Sequence, residues 1–120
     1  KWLQGQPHVQ YVLYPGLENH PGYEINKAQT TGFGGMISFA VDNAETARQI
    51  LEGVKLIKFA ESLGGTESLI TYPIRQTHTD LTAEECAEKG ITNCLLRFST
   101  GIEATQDLID DLAQAFAAIE

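Results

Sequence analysis

Hydrophobic and polar positions change period several times along this chain, and each change predicts an element. Residues 9–13, VQYVL, are β-branched and aromatic and run into Tyr14-Pro15-Gly16, which predicts a short strand closed by a turn. Asn19-His20-Pro21-Gly22 marks a second turn, and Tyr23 to Thr30 reads as a short helix. In MISFAV, residues 36–41, Met36, Ser38 and Ala40 alternate with Ile37, Phe39 and Val41. A period of two with one strongly apolar face is the mark of a half-buried strand. Gly32, Gly34 and Gly35 enter this strand instead of opening a helix, so they predict a tight turn or bulge and not a phosphate loop.

Helical spacing takes over after Asp42. Asp42 with Glu45 fits a capping box, Ala44, Ala47, Ile50, Leu51 and Val54 share one stripe, and Gly53 is a stop. LIKFA (56–60) and SLITY (68–72) read as strands, the second closed by Pro73. Thr82 with Glu85 forms a second capping box for a helix ending at Lys89-Gly90, and CLLRFS (94–99) is a further strand. From Ala104 to Ile119, Leu108, Leu112, Ala115 and Ile119 make a final amphipathic helix. Its acids Asp107, Asp110 and Asp111 lie toward the N-terminal end of the dipole. With no linker or repeat, residues 1–120 predict a single α+β domain of two layers, helices over one face of a small mixed or antiparallel sheet.

Composition narrows the partners. A hydrophobic fraction of 42% and a charged fraction of 20% fit an ordinary globular domain, and 120 residues support one core. A net charge of −8 with only eight Lys and Arg argues against nucleic acid. No apolar run approaches the roughly 20 residues that span a bilayer, and no signal-peptide pattern opens the chain, so no membrane partner is expected. Cys86 and Cys94 are not in CxxC spacing and His8, His20 and His78 are scattered. They read as reduced thiols of a cytoplasmic protein and structural histidines, without a metal site. The opening KWLQGQP reads as the tail of a helix, as a piece of a longer protein would begin.

Arg97 is the most informative polar residue, because it interrupts a strand otherwise suited to burial. Desolvating a guanidinium without a partner costs several kcal/mol. Two accounts stay open on the residues alone: an internal ion pair with one of the sixteen acids, or a fork aimed at a ligand carboxylate. Ser62-Leu63-Gly64-Gly65 offers a hydroxyl and free amides at a strand end, and by itself says only that the chain turns there. No general base accompanies Ser62, so a hydrolase nucleophile is unsupported. The repeated triplet Glu67-Ser68-Leu69 reads as the start of the next strand, with no further role.

Taken together, VLYPGLENHPGYEINKAQ, GFGGMISF, KFAESLGGTESLI, THTD and LLRFSTGIEATQDLIDDL resemble the C-terminal domain of the Cys/Met-metabolism enzymes that use pyridoxal phosphate (PLP). That family includes cystathionine γ-synthase, cystathionine β- and γ-lyases, methionine γ-lyase and the O-acyl-homoserine sulfhydrylases. The resemblance implies the C-terminal domain of a fold-type I PLP enzyme. In it Arg97 grips the substrate α-carboxylate, Ser62 with its neighbour Leu63 helps fix that carboxylate, and Thr77 orients the Arg and its neighbourhood. It also implies that Glu61 leans toward cystathionine, whose distal ammonium a carboxylate would hold. Two departures from the family pattern, Gln76 for a Met and Thr82-Ala83-Glu84-Glu85-Cys86 for Pro-x-Glu-Arg, are expected at a surface helix start.

The implied role makes physical sense, since a bidentate grip on the carboxylate sets the rotation of the Cα–H bond against the cofactor's π system. None of the five lysines (Lys1, Lys27, Lys55, Lys58, Lys89) falls in the family's cofactor-lysine context. The resemblance places that lysine, and the covalently held PLP, in an upstream domain. The segment alone is then expected to be inactive, and the whole enzyme to be a cytoplasmic homotetramer acting on a small amino acid. The alternative is a free-standing α+β ligand-binding or regulatory module without catalysis.

Overall fold

In the computed structural model, which describes residues 1–119, the strands are β1 (Val9–Leu13), β2 (Met36–Val41), β3 (Lys58–Phe59), β4 (Leu69–Thr71) and β5 (Leu95–Ser99). The helices are α1 (Tyr23–Gln29), α2 (Ala44–Gly53), α3 (Ala83–Glu88) and α4 (Thr105–Ala117), with short 3₁₀ turns at Trp2–Gly5 and Pro73–Arg75. The strands form one sheet in the order β1-β2-β5-β4-β3, antiparallel except for the parallel β3–β4 pair. This is the expected α+β arrangement, with a mixed sheet.

Alternation decides the two faces. Phe39 and Val41 of β2, Ile70 of β4 and Leu96 and Phe98 of β5 are buried together against Ala47 and Ile50 of α2 and Leu108, Leu112 and Phe116 of α4. Each of these side chains larger than alanine contributes roughly 1.5–3 kcal/mol by leaving water. The N-terminal 3₁₀ turn docks there too, through an edge-to-face contact of Trp2 with Phe116 at 6.1 Å between ring centroids. The opposite face carries no helix of this core; along it Leu13, Ser38, Arg97 and Thr71 line up across β1, β2, β5 and β4.

Three local expectations are corrected. Asp42 and Glu45 do not cap α2; Asn43 does, its Oδ1 accepting from Thr46 N at 2.9 Å, while Asp42 pairs with His8 and Glu45 with Arg48. Gly53 ends α2 as expected and packs on Ala115, where the two helices approach closely. Asp111 is not a dipole acid but a buried clasp, accepting from the backbone amides of Lys55, Leu56 and Ile57 at 2.9, 3.0 and 2.9 Å. Those amides are therefore unavailable to a ladder, which shortens the strand expected at 56–60 to Lys58–Phe59. The Thr82–Glu85 capping box of α3 is present in full.

Candidate functional site

Arg97 occupies the middle of the central strand β5, on the face opposite the α2–α4 core, with Ser38 and Thr71 as its cross-strand neighbours. Two short hydroxyl residues beside a long one leave the guanidinium room to extend along the sheet. Its Nη2 donates to the Glu61 carbonyl at 2.9 Å and to Thr71 Oγ1 at 3.3 Å. Its Nε is buried and has no hydrogen-bond partner. Ion pairs among the described residues join His8 to Asp42 and Arg48 to Glu45 and Glu52, so none neutralises Arg97. The internal ion pair left open by the sequence is thus not made among the described residues.

Residues 61–67 are all exposed, yet the segment is laced to β5 and the turn after it. The Glu61 carbonyl is held by Arg97, and Gly64 N donates to the buried Ser99 Oγ at 2.8 Å. Arg97 and Ser99, two apart on one strand, point to one face and so anchor both ends of Glu61–Gly64. Gly64 sits at φ +71°, a left-handed conformation that glycine adopts without penalty. Farther on, Ile102 N donates to the Thr66 carbonyl at 2.9 Å. Ser68, far from being a bare strand start, is a fully buried hub: it accepts from Gly101 N at 2.8 Å and donates to Glu103 through N and Oγ at 2.7 Å each. The Ser68 amide, and then its hydroxyl, hold the Glu103 carboxyl below the ordinary carboxylate range.

The remaining predicted residues distribute unevenly. Ser62 and Leu63 lie in the laced segment, exposed beside the anchored Glu61, whose own side chain is also exposed. Thr77 is not a hydrogen-bond partner of Arg97; its hydroxyl pairs with His78 Nδ1 at 2.7 Å, and the hydroxyl that Arg97 uses is Thr71. Gln76 is not at a helix start but in the turn after Pro73–Arg75, where its Oε1 accepts from Tyr72 N at 2.7 Å. Thr71, Ser99 and the Ser68–Glu103 tie were missed from the sequence. Ser99 had a signal, being two positions from Arg97 in the same strand; Thr71 had none without the strand register.

Two hollows lie elsewhere. One of about 360 Å³ is lined mainly by Trp2, Val12, Leu17, Ile37, Phe98 and Leu108, and the other of about 580 Å³ by residues of the Tyr72–Asn93 region and Ala44. Neither includes Arg97 or Ser62. Arg97 instead faces an open sheet surface on which Tyr11 and Leu13 are 42% and 47% exposed.

The fold that carries this site is shared with a defined class of enzymes. Residues 1–117 match the model of the Cys/Met metabolism PLP-dependent enzyme family, and the chain belongs to that family. It is 48% identical over 118 residues to the cystathionine γ-lyase of Bacillus subtilis, covering 98% of this chain and 31% of the relative. Against the cystathionine γ-synthase of Haemophilus influenzae it is 48% identical over 120 residues, covering 100% of this chain and 28% of the relative. The crystal structure of cystathionine γ-lyase from Lactobacillus plantarum complexed with L-serine superimposes with a TM-score of 0.89 at 40% identity, over 98% of this chain and 31% of that one. The chain therefore spans less than a third of the length of the relatives it matches.

PLP belongs to the family, but the residues described here do not by themselves fit it. Schiff-base lysines are desolvated by burial, whereas Lys1, Lys27, Lys55, Lys58 and Lys89 are all exposed. Lys58 Nζ is occupied by the Lys55 carbonyl, and Lys27 lies over the ring of Tyr23.

Proposed function

We propose that this chain is the substrate-clamping C-terminal domain of a PLP-dependent enzyme of cysteine and methionine metabolism, acting on cystathionine or a related amino acid. The observation that carries the proposal is the buried, unpartnered Nε of Arg97 in a guanidinium with no carboxylate partner among the described residues. A half-buried charge kept without a counter-ion is destabilising unless an anion arrives to pair with it. The planar fork suits a carboxylate, and a strand in mid-sheet holds it rigidly.

In this reading Arg97 binds the substrate α-carboxylate, and Ser62 and Leu63 of the laced segment close against it. Thr77 contributes through its neighbourhood, not through a bond to Arg97. Glu61, with its carbonyl fixed and its side chain free, receives the distal ammonium of cystathionine. The chain itself binds and orients; the cofactor, whose chemistry is to delocalise negative charge from the substrate, is held by the rest of the parent protein. That remainder also covers the open face bearing Tyr11 and Leu13, since exposed apolar side chains around a polar centre mark a surface made to be covered. The whole is a cytoplasmic homotetramer, and the segment alone is inactive. Relatives named cystathionine γ-lyase and cystathionine γ-synthase match equally at 48%, so overall identity does not choose between elimination and replacement, and the residues that choose lie partly in the remainder of the parent.

The test is Arg97→Ala in the complete PLP-loaded enzyme with L-cystathionine as substrate. Removing one partner of a desolvated charged pair costs roughly 2–5 kcal/mol. The expected fall in kcat/KM is about 30-fold to several thousand-fold. An unchanged kcat/KM defeats the assignment.

A further inference from the structure

We infer that Thr71 is a positioning residue for Arg97, fixing the direction of its guanidinium and coupling it to the segment that bears Ser62; the inference rests on Arg97 being the carboxylate clamp. Thr71 is 1% exposed and lies directly across from Arg97 in the β4–β5 ladder. A threonine hydroxyl has one proton and two lone pairs. The proton is committed to the Ala60 carbonyl at 2.7 Å, so toward Arg97 the oxygen acts as an acceptor, and Nη2 donates to it at 3.3 Å.

The same Nη2 donates to the carbonyl of the very next residue, Glu61, at 2.9 Å. Consecutive carbonyls are thus gripped, one by Thr71 and one by Arg97, and the two grips are themselves joined. Turning the guanidinium out of this plane breaks both of its bonds, while its buried Nε stays free. Ser38, the neighbour on the other flank, supplies no hydrogen bond to Arg97 among the described residues. The orientation therefore depends on the β4 side, and one hydroxyl there sets both the fork and the start of the Ser62 segment.

The experiment compares the complete, cofactor-loaded enzyme with Thr71→Val, Thr71→Ser and Arg97→Ala. The probes are L-serine and L-serinamide, and the readout is the dissociation constant from the shift of the cofactor's absorbance band on titration. Valine keeps the shape and β-branching but neither donates nor accepts. Hydrogen bonds to charged groups are strong enough that T71V should bind L-serine roughly ten- to a hundredfold more weakly. Its preference for the carboxylate over the carboxamide should fall in parallel, which a general loss of packing would not cause. T71S, which keeps the hydroxyl, should bind L-serine as the parent does.

If T71V binds L-serine normally while R97A does not, the role of Thr71 is overturned and the clamp stands. A T71S enzyme as weak as T71V also overturns it, because the methyl and not the hydroxyl then matters. Unchanged binding in R97A removes the clamp itself. Should T71V fail to load cofactor, Thr71→Ala takes its place, and the same outcomes decide.

Discussion

Gly101 tests whether the turn after β5 governs the site. Its φ is not in the left-handed region, so alanine is refused there by crowding alone. A Cβ would stand 2.6 Å from the Glu67 carbonyl carbon and 2.6 Å from Glu103 Oε2, with the Thr66 carbonyl oxygen also in its way. Two of these three are backbone atoms and cannot swing aside as a side chain does. To restore contact distance, residues 66–67 must retreat by roughly 0.5–1 Å. That displacement strains the Ile102–Thr66 bond of 2.9 Å and the two 2.7 Å bonds from Ser68 to Glu103. Overpacking of this kind costs about 1–3 kcal/mol.

The same retreat pulls on the far end of the Ser62 segment, and misplacement approaching 1 Å lowers rates by up to about a hundredfold. In the complete enzyme, Gly101→Ala is expected to lower Tm and to reduce kcat/KM on L-cystathionine about tenfold. Gly65→Ala is the control: a Cβ there meets nothing within 4 Å and its φ is not positive, so both quantities should hold. Equal behaviour of the two variants refutes the idea that this turn carries the segment.

Two further predictions follow from the same contacts. Glu103 titrates below its ordinary value of 4.5 in the folded protein, so its tie to Ser68 stabilises above that value and is lost as pH falls through the depressed folded value. The Tm difference between the parent enzyme and Glu103→Gln should accordingly be full at pH 7 and shrink below about pH 4.5; a difference independent of pH rejects the carboxylate as its source. For the isolated segment, mixing with PLP should leave no absorbance band near the visible edge after dialysis, because its lysines are all exposed. A band that persists contradicts the placement of the cofactor in the remainder of the parent.

Local signals were legible in the sequence and distant partners were not. The alternation of MISFAV gave β2 its bounds, residues 36–41, and the Thr82–Glu85 spacing gave α3 its cap, because both depend on neighbours in the chain. At the start of α2, however, two acidic or amide residues compete for one cap, and choosing Asn43 over Asp42 depends on the backbone angle of each and on His8 drawing Asp42 away. Asp111 looked like a dipole acid because its partners, Lys55 to Ile57, lie more than fifty residues off. The resemblance pointed to Arg97 and Ser62 but not to what steers them. It gave Thr77 the orienting of the Arg and its neighbourhood, whereas the hydroxyl that Arg97 meets directly across the strand register is that of Thr71.

The doubled Glu-Ser-Leu makes the underlying rule concrete. In the first copy Ser62 is exposed on a segment held at its backbone, which on the proposed reading leaves its hydroxyl to a ligand. In the second, Ser68 is fully buried and spends both its hydroxyl and its amide on Glu103 and Gly101. The chemistry of the tripeptide is identical; what differs is whether the neighbouring strand offers partners for the side chain or for the main chain. A serine whose polar groups are all satisfied inside the fold has nothing left for substrate, while one suspended by its neighbours' carbonyl and amide does. The anchored copy thus fixes one end of the segment whose other end Arg97 holds, which is what the proposed role of the free copy requires.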